Sequence, residues 1–357
     1  MSVVSAALLG GVRAAFASPA RRFRAALADP ERAQRERLAA VLRAVAGTEQ
    51  ARRFGLAKVR TARELQDAVP VRGYDELAED VRAAYEGKAR VLTAGPVVRF
   101  ELSGGSSGAS KLVPMTEGLS GEFHRALAPW LFDLLDRRPA LRRGPGYWSI
   151  SPLGQRRERS PGGVPVGSIE DAAYFPRPLQ PLLRRALAVP GEVARVPDVQ
   201  SCRQVTLWHL VACADLRMIS VWNPSFLTLL LSALDEGADR LAADLEAGRC
   251  AGALPGMRFP RRPDRATALR EAVGGSGRVD VRRLWPQLSL VSLWTDAEAA
   301  RALSPLRERL PGIELQGKGL LATEGVVTLP LFDAPAPVLA VRSHFYELIP
   351  VAPTGPG

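Results

Sequence analysis

The stretch Phe100-Glu-Leu-Ser-Gly-Gly-Ser-Ser-Gly-Ala-Ser-Lys-Leu-Val-Pro-Met-Thr116 decides how the rest of this chain is read. On its amino side, Val98, Phe100 and Leu102 alternate with Arg99 and Glu101, a spacing that predicts a strand. On its carboxyl side, Leu112 and Val113 are apolar, and Pro114 forbids an immediate helix. Between the two segments, Gly104, Gly105 and Gly108 let the backbone turn tightly and approach a ligand. Backbone N–H groups and the hydroxyls of Ser103, Ser106, Ser107 and Ser110 can cradle phosphate oxygens, and Lys111 adds a positive charge. A flexible serine/glycine hairpin turn without a ligand fits the same composition. A Walker phosphate loop does not fit, because Lys111 lies three residues past Gly108 and no helix follows at once. Gly104-Gly105-Ser106-Ser107-Gly108 matches a Gly-x-Ser-x-Gly nucleophile elbow, but Lys-Leu-Val-Pro stands where that elbow needs a helix. A serine hydrolase using Ser106 is therefore a lesser alternative.

The chain has 357 residues, 46% hydrophobic and 24% charged, which suits one large globular domain or two smaller ones. Its formal net charge of +11 would ordinarily raise nucleic acid as a partner. Lys58, Lys88, Lys111 and Lys318 are the lysines, so scattered arginine carries most of the charge, and no nucleic-acid recognition motif accompanies it. The expectation is no nucleic-acid partner, with the positive field serving a nucleotide or pyrophosphate instead. Cys202, Cys213 and Cys250 have no metal spacing and are odd in number, which predicts reduced, buried thiols in a cytoplasmic protein. His124, His209 and His344 lie far apart in sequence and predict no zinc site. No apolar run approaches the ~18–20 residues of a membrane span, and Arg13 interrupts the apolar amino terminus.

Residues 6–27 read as one or two amphipathic helices, and Asp29-Pro30 caps the next, with Leu38, Val41, Leu42 and Val45 as its apolar stripe. A helical patch follows over 62–68, and Val69-Pro70-Val71-Arg72-Gly73-Tyr74 breaks the pattern. Thr116 caps a helix carrying Leu119, Phe123, Leu127, Trp130, Leu131 and Leu134, with Pro129 expected to kink it. Strands are predicted over 147–150, 216–222 and 288–294, and 155–166 reads as a surface loop that can lie over a ligand. Helices are predicted over 201–214, 225–234, 238–247 and 297–310, the last interrupted at Pro305. Trp222-Asn223-Pro224-Ser225 falls at the carboxyl end of a strand, where α/β folds place ligands. Gly319-Leu-Leu-Ala-Thr-Glu-Gly325 ahead of a strand over 326–329 is, on residue types alone, a turn carrying one acid.

Ser103 to Pro114 resembles the first motif of the acyl-adenylating superfamily, in the form of its auxin-responsive branch, the acyl acid–amido synthetases. The Pro-Val-x-x-Tyr lead-in at 70–74, Trp285-Pro286 ahead of a central strand, and Thr323-Glu324 extend the likeness over roughly 35–350. The resemblance implies an α/β adenylation core at 96–350, a helical amino-terminal portion at 1–95 packed on it, mixed sheets packed with helices, and a tail at 351–357. It implies ATP and Mg²⁺ as cofactors, a small carboxylic acid and an amine or amino acid as partners, and formation of an acyl-adenylate. Lys111 and Glu324 would be catalytic. Ser103, Gly104, Gly105, Ser106, Ser107, Gly108, Lys111, Leu320, Thr323 and Glu324 would bind nucleotide, Glu324 would hold the metal, and Trp222 would wall the acyl pocket. Leu320 stands where the family often carries an aromatic residue against adenine. The third family motif, Tyr-Arg-x-Gly-Asp, is not found, and the expectation is a chain ending before the family's mobile carboxyl-terminal domain. A non-catalytic, truncated nucleotide-binding homologue is the alternative. The sequence names neither acid nor amine, and a monomer is the favoured oligomeric state.

Overall fold

The computed structural model describes residues 2–103, 111–149, 159–167, 175–275 and 277–350. The chain opens with α1 (Ser2–Leu27), a single helix with Pro19 inside it. Next comes α2 (Pro30–Ala44), whose cap Asp29 accepts from Arg32 N and whose first residue is proline. Then follow α3 (Glu49–Arg53), α4 (Ala62–Ala68) and α5 (Ala78–Tyr85). In α4 the Thr61 and Glu64 side chains form a reciprocal capping box.

Strands β1 (Val97–Ser103) and β2 (Lys111–Thr116) pair antiparallel, with Ser103 opposite Lys111 at the open end. Of the surface loop expected over 155–166, residues 155–158 lie outside the described residues. Segment 159–167 is mostly exposed and runs beside β1, with Phe100 N donating to Pro165 O at 2.9 Å and Gly167 N to Phe100 O at 2.8 Å. Helix α6 (Glu117–Arg137) starts on the Thr116 cap and keeps Pro129 inside one continuous helix.

A four-stranded parallel sheet follows, in the order β3 (Gly146–Trp148), β4 (Met218–Ser220), β5 (Leu290–Leu293), β6 (Glu314–Gly317). Its crossovers carry α7 (Gln180–Arg185) and α8 (Val199–Ala212), then α9 (Pro224–Ala247), α10 (Pro263–Ala272) and α11 (Val281–Leu284), then α12 (Leu303–Arg309). Short antiparallel pairs close the order: β7 (Leu321–Ala322) with β8 (Gly325–Val326), and β9 (Thr328–Leu329) with β10 (Val338–Leu339).

Alternation along the parallel strands separates two cores. Tyr147, Ile219, Val221, Val291 and Leu293 pack with α8, α9, α10 and α12. Met218 and Leu290 face the opposite way, into a second core built by α1, α6, Val113, Met115 and Val326. The sheet is thus the middle layer of an α/β/α arrangement. Two ion pairs tie α1 to α6: Arg13 with Asp136, and Arg24 with Asp133 at 3.0 Å. Asp133 is buried and also accepts from Phe332 N at 2.9 Å, which brings the carboxyl-terminal segment to the same helix.

Several boundaries differ from the sequence reading. The helices expected over 225–234 and 238–247 are one helix, α9. Leu227, Leu230, Leu231, Leu234, Ala238, Leu241, Ala242 and Leu245 form an unbroken buried stripe through Gly237. A mid-helix glycine costs about 1 kcal/mol, whereas each buried leucine contributes about 1.5–3 kcal/mol. Helix 297–310 divides into a 3₁₀ turn over Ala297–Ala302 and α12, with Pro305 in the first turn of α12 rather than at the break. The strand expected over 326–329 is split between β8 and β9. The strands expected over 216–222 and 288–294 are shorter, at 218–220 and 290–293, and that expected over 147–150 is found at 146–148, with residue 150 outside the described residues.

Candidate functional site

The carboxyl ends of β3 to β6 bring together residues from four separate parts of the sequence. Trp148 ends β3, Trp222 follows β4, Trp294 follows β5 and Lys318 follows β6. Pairing continues past the strand ends. Trp294 N donates to Trp222 O at 2.9 Å, and Lys318 N to Leu293 O at 2.9 Å. The Trp222 and Trp294 rings lie 5.8 Å apart, and the Lys318 ammonium sits 4.8 Å from the Trp222 ring and 5.3 Å from that of Trp130 on α6. Lys318 Nζ donates to Ser220 Oγ at 2.5 Å, and Trp130 Nε1 to Gln316 Oε1 at 3.2 Å. In register, Ser220 pairs with Ser292 and Ser292 with Gln316, giving a polar row across the sheet beneath the lysine. All three side chains of that row are buried.

The first motif sits at the open end of the β1–β2 hairpin. Ser103 and Lys111 face each other across it, while Gly104, Gly105, Ser106, Ser107, Gly108 and Ser110 lie outside the described residues. Tyr74 secures the base of this motif. Its hydroxyl accepts from Leu112 N at 3.0 Å, and its ring lies 5.2 Å from Lys111 Nζ. The lead-in that resembles the family's segment therefore touches the motif it precedes. A strand, β2, follows the loop where a nucleophile elbow requires a helix, so the geometry does not support the Ser106 hydrolase reading.

The second motif is the β7–β8 hairpin. Thr323 and Glu324 form its turn, Thr323 half-buried and Glu324 exposed. Leu320 is 60% exposed, and its amide donates to Thr328 Oγ1 at 2.7 Å. Gly319 has φ 75°, and a Cβ there would come within 2.6 Å of Thr328 Oγ1. Gly325 is packed against His344, with an added Cβ falling 2.6 Å from ring atoms Cε1 and Nε2. Ser343 Oγ lies 2.7 Å from His344 Nδ1 and donates to Glu122 O at 2.8 Å, while Glu122 Oε2 lies 3.4 Å from His344 Nε2. Burial lowers the His344 pKa to about 4 and raises that of Glu122, so the imidazole is neutral at pH 7. Tyr346 Oη donates to Val326 O at 2.6 Å from the same segment. The hairpin carrying Thr323 and Glu324 is thus backed by residues 343–346. Both motif hairpins pack on α6, whose Trp130 also meets Lys318.

The structure joins Trp222 to a cluster that sequence reading left dispersed. Lys318, Trp130, Trp294, Ser220 and Ser292 were not singled out, although a tryptophan at or after the end of three successive strands was a visible signal. His344 and Tyr74 also acquire roles only in space. Cys202 and Cys213 are buried and Cys250 is half-buried, with burial raising all three thiol pKa values. Among the described residues no group of His, Cys, Asp and Glu forms a metal cluster, and no helix is long and apolar enough to cross a membrane.

Residues 19–315 match the model of the GH3 family N-terminal domain. No curated protein sequence matches the chain. Among solved structures, it resembles GH3.15 acyl acid amido synthetase, with a TM-score of 0.72 and 17% identity over 88% of this chain and 58% of that one. It also resembles AtGH3.15 acyl acid amido synthetase in complex with 2,4-DB, with a TM-score of 0.70 and 16% identity over 84% of this chain and 54% of that one. The chain therefore spans little more than half the length of these structures. At such identity the likeness establishes a common fold, that of the adenylate-forming amido synthetases. The family match covers most of the sequence, and on that ground the chain belongs to the GH3 family.

Proposed function

We propose that this chain is the acid-activating part of an ATP-dependent acyl acid–amido synthetase of the cytoplasm. The observation that carries this reading is the family match over 19–315, which contains the first motif and the parallel sheet as far as the first half of β6. An acid carboxylate would attack the α-phosphorus of ATP, forming an acyl–phosphate bond as the α–β phosphoanhydride breaks and pyrophosphate leaves. An amine, such as that of an amino acid, would then attack the acyl carbon and release AMP.

The chain's own groups suit these steps by position and charge. Lys111, at the hairpin mouth beside Tyr74, would stabilise charge on the leaving pyrophosphate, with Ser103 and the loop 104–108 around the phosphates. Thr323 would donate its hydroxyl to the α-phosphate, and Leu320 would lie against the base. Glu324 is a single exposed carboxylate, which fits Mg²⁺, an ion that keeps waters and phosphate oxygens as most of its ligands. When bound, Mg²⁺ would spread the charge that develops on the phosphates.

The test is carboxylate-dependent ATP–pyrophosphate exchange by the 357-residue chain with a panel of small acids, Lys111→Ala serving as control. Exchange that disappears in the variant supports the reading. Folded protein that binds ATP but exchanges with no acid would instead identify a nucleotide-binding homologue without turnover.

A further inference from the structure

Arg22 on α1, Arg37 on α2, Arg125 on α6 and Arg342, which follows β10, converge where three helices meet the carboxyl-terminal segment. Hydrogen bonds fix the meeting. Gln34 Nε2 donates to the carbonyls of Val341 and His344, both at 2.9 Å, and Tyr346 N donates to Gln34 Oε1 at 2.8 Å. Arg37 lies on the same face of α2 as Gln34, one turn further on. Arg125 Nε donates to Arg342 O at 3.1 Å, which sets α6 against the same segment. Arg37, Arg125 and Arg342 are half-buried and Arg22 is exposed. Burial first, then the charge of Arg37, lowers the pKa of Arg125, and burial, then the charges of Arg22 and Arg37, lowers that of Arg342. Guanidinium groups keep their protons in proteins, so the mutual repulsion stands. Two carboxylates face the four cations. Glu122 Oε1 lies 3.6 Å from Arg125 Nη2, and Glu36 is already paired with Arg32 at 3.2 Å. His344, beside Glu122, is neutral. Among the described residues, Arg22, Arg37 and Arg342 make no ion pair, and their guanidiniums donate no hydrogen bond. The junction thus holds more cations than carboxylates, partly out of water, where charges are ordinarily paired.

We propose that this junction binds a phosphate group, with the unpaired forks of Arg37 and Arg342 donating to its oxygens and Arg22 and Arg125 adding charge. Four cations against two carboxylates leave an excess of two positive charges. A phosphate group carries about −1.5 to −2 at pH 7 and matches that excess, whereas a single carboxylate neutralises half of it. Planar guanidinium forks also suit the spacing of phosphate oxygens. The site goes beyond the acid-activating reading, because neither motif contributes a residue to it. Glu122 and His344 link it to Gly325 of the β7–β8 hairpin.

Isothermal titration of the full chain with inorganic phosphate, at constant ionic strength, tests the site. Glycerol 2-phosphate is a second arm. Comparable binding of the ester assigns the group to a phosphorylated molecule, and binding of inorganic phosphate alone assigns it to free phosphate. Arg37→Gln and Arg342→Gln should each weaken binding at least about tenfold, the loss of one charged hydrogen bond. Lys111→Ala and the exposed Arg63→Gln should leave it unchanged. Arg37 makes no ion pair, so Arg37→Gln keeps the test decisive if Arg342→Gln fails to fold. In phosphate-free buffer its melting temperature should equal or exceed that of wild type, because the substitution relieves repulsion, and a lower one would show that the cluster is already compensated. No phosphate binding, unchanged affinity in folded Arg37→Gln, or an equal loss in Arg63→Gln overturns the inference. So does a loss confined to Lys111→Ala, which would place the phosphate on the first motif. Phosphate binding that depends on Arg37 in a chain showing no pyrophosphate exchange sustains this site and refutes only the proposed reaction.

Discussion

Replacing Gly325 by alanine tests whether His344 holds the hairpin that carries Thr323 and Glu324. The backbone at Gly325 is not in the left-handed region, so an L-residue meets no conformational penalty there. The obstacle is contact, because the new Cβ would lie 2.6 Å from His344 Cε1 and Nε2 and 3.1 Å from Nδ1. The ring has little room to retreat, with Ser343 Oγ 2.7 Å away on one side and Glu122 Oε2 3.4 Å away on the other. Overpacking of this kind costs about 1–3 kcal/mol. At roughly 2–4 °C per kcal/mol for a domain of this size, the melting temperature should fall by about 2–12 °C. Urea denaturation of wild type, Gly325→Ala, His344→Ala and the double variant completes a thermodynamic cycle. The double variant should be more stable than the sum of the single effects by about 1 kcal/mol or more, because the alanine then occupies space the ring has vacated. Additivity within about 0.3 kcal/mol, or a Gly325→Ala cost below about 0.5 kcal/mol, would refute the packing argument.

Lys111→Ala and Glu324→Gln should each lower acid-dependent pyrophosphate exchange more than about tenfold, a loss of at least ~1.4 kcal/mol of transition-state stabilisation, and unchanged kinetics in both would remove those roles. His209 and His344 have pKa values lowered to about 4 by burial, against 6.5 for the free side chain. The folded chain thus binds fewer protons than the unfolded chain between those values. Stability present at neutral pH should fall as pH drops from 6.5 towards 4, by at most about 1.4 kcal/mol per pH unit for each histidine. Urea midpoints measured across that range should show the decline, and His209→Gln with His344→Gln should flatten it. Asp235 accepts from Arg309 at 2.6 and 2.9 Å and from Val279 N at 2.8 Å. Asp235→Ala leaves the guanidinium poorly compensated and should destabilise by about 2–4 kcal/mol, whereas a loss below about 1 kcal/mol would mean that water replaces the pair.

Much of the local structure was legible because it depends on neighbouring residues. Asp29-Pro30, the Thr61–Glu64 box, Thr116 and Asn223-Pro224 each start the helix expected of them. The alternation at 98–102 gave β1, and at Pro114, which forbids a helix, the chain runs as strand β2. Where local signals conflicted, long-range packing decided. Asp235-Glu236-Gly237 reads as a break, yet α9 continues, because its leucine stripe is buried on both sides of the break and Arg309 and Val279 satisfy Asp235.

Sequence by itself determined the α/β class, the two motifs and the family likeness, since these rest on periodicity, capping and short contiguous patterns. Only the tertiary structure decided that Lys318, Ser220, Ser292, Trp130, Trp222 and Trp294 share one place. The reason is geometric. Parallel strands joined by helical crossovers align residues that lie tens of positions apart, and no local pattern encodes which strand lies beside which. The same holds for Gly325 and His344, whose contact arises because the chain returns from β10 to support the β7–β8 turn.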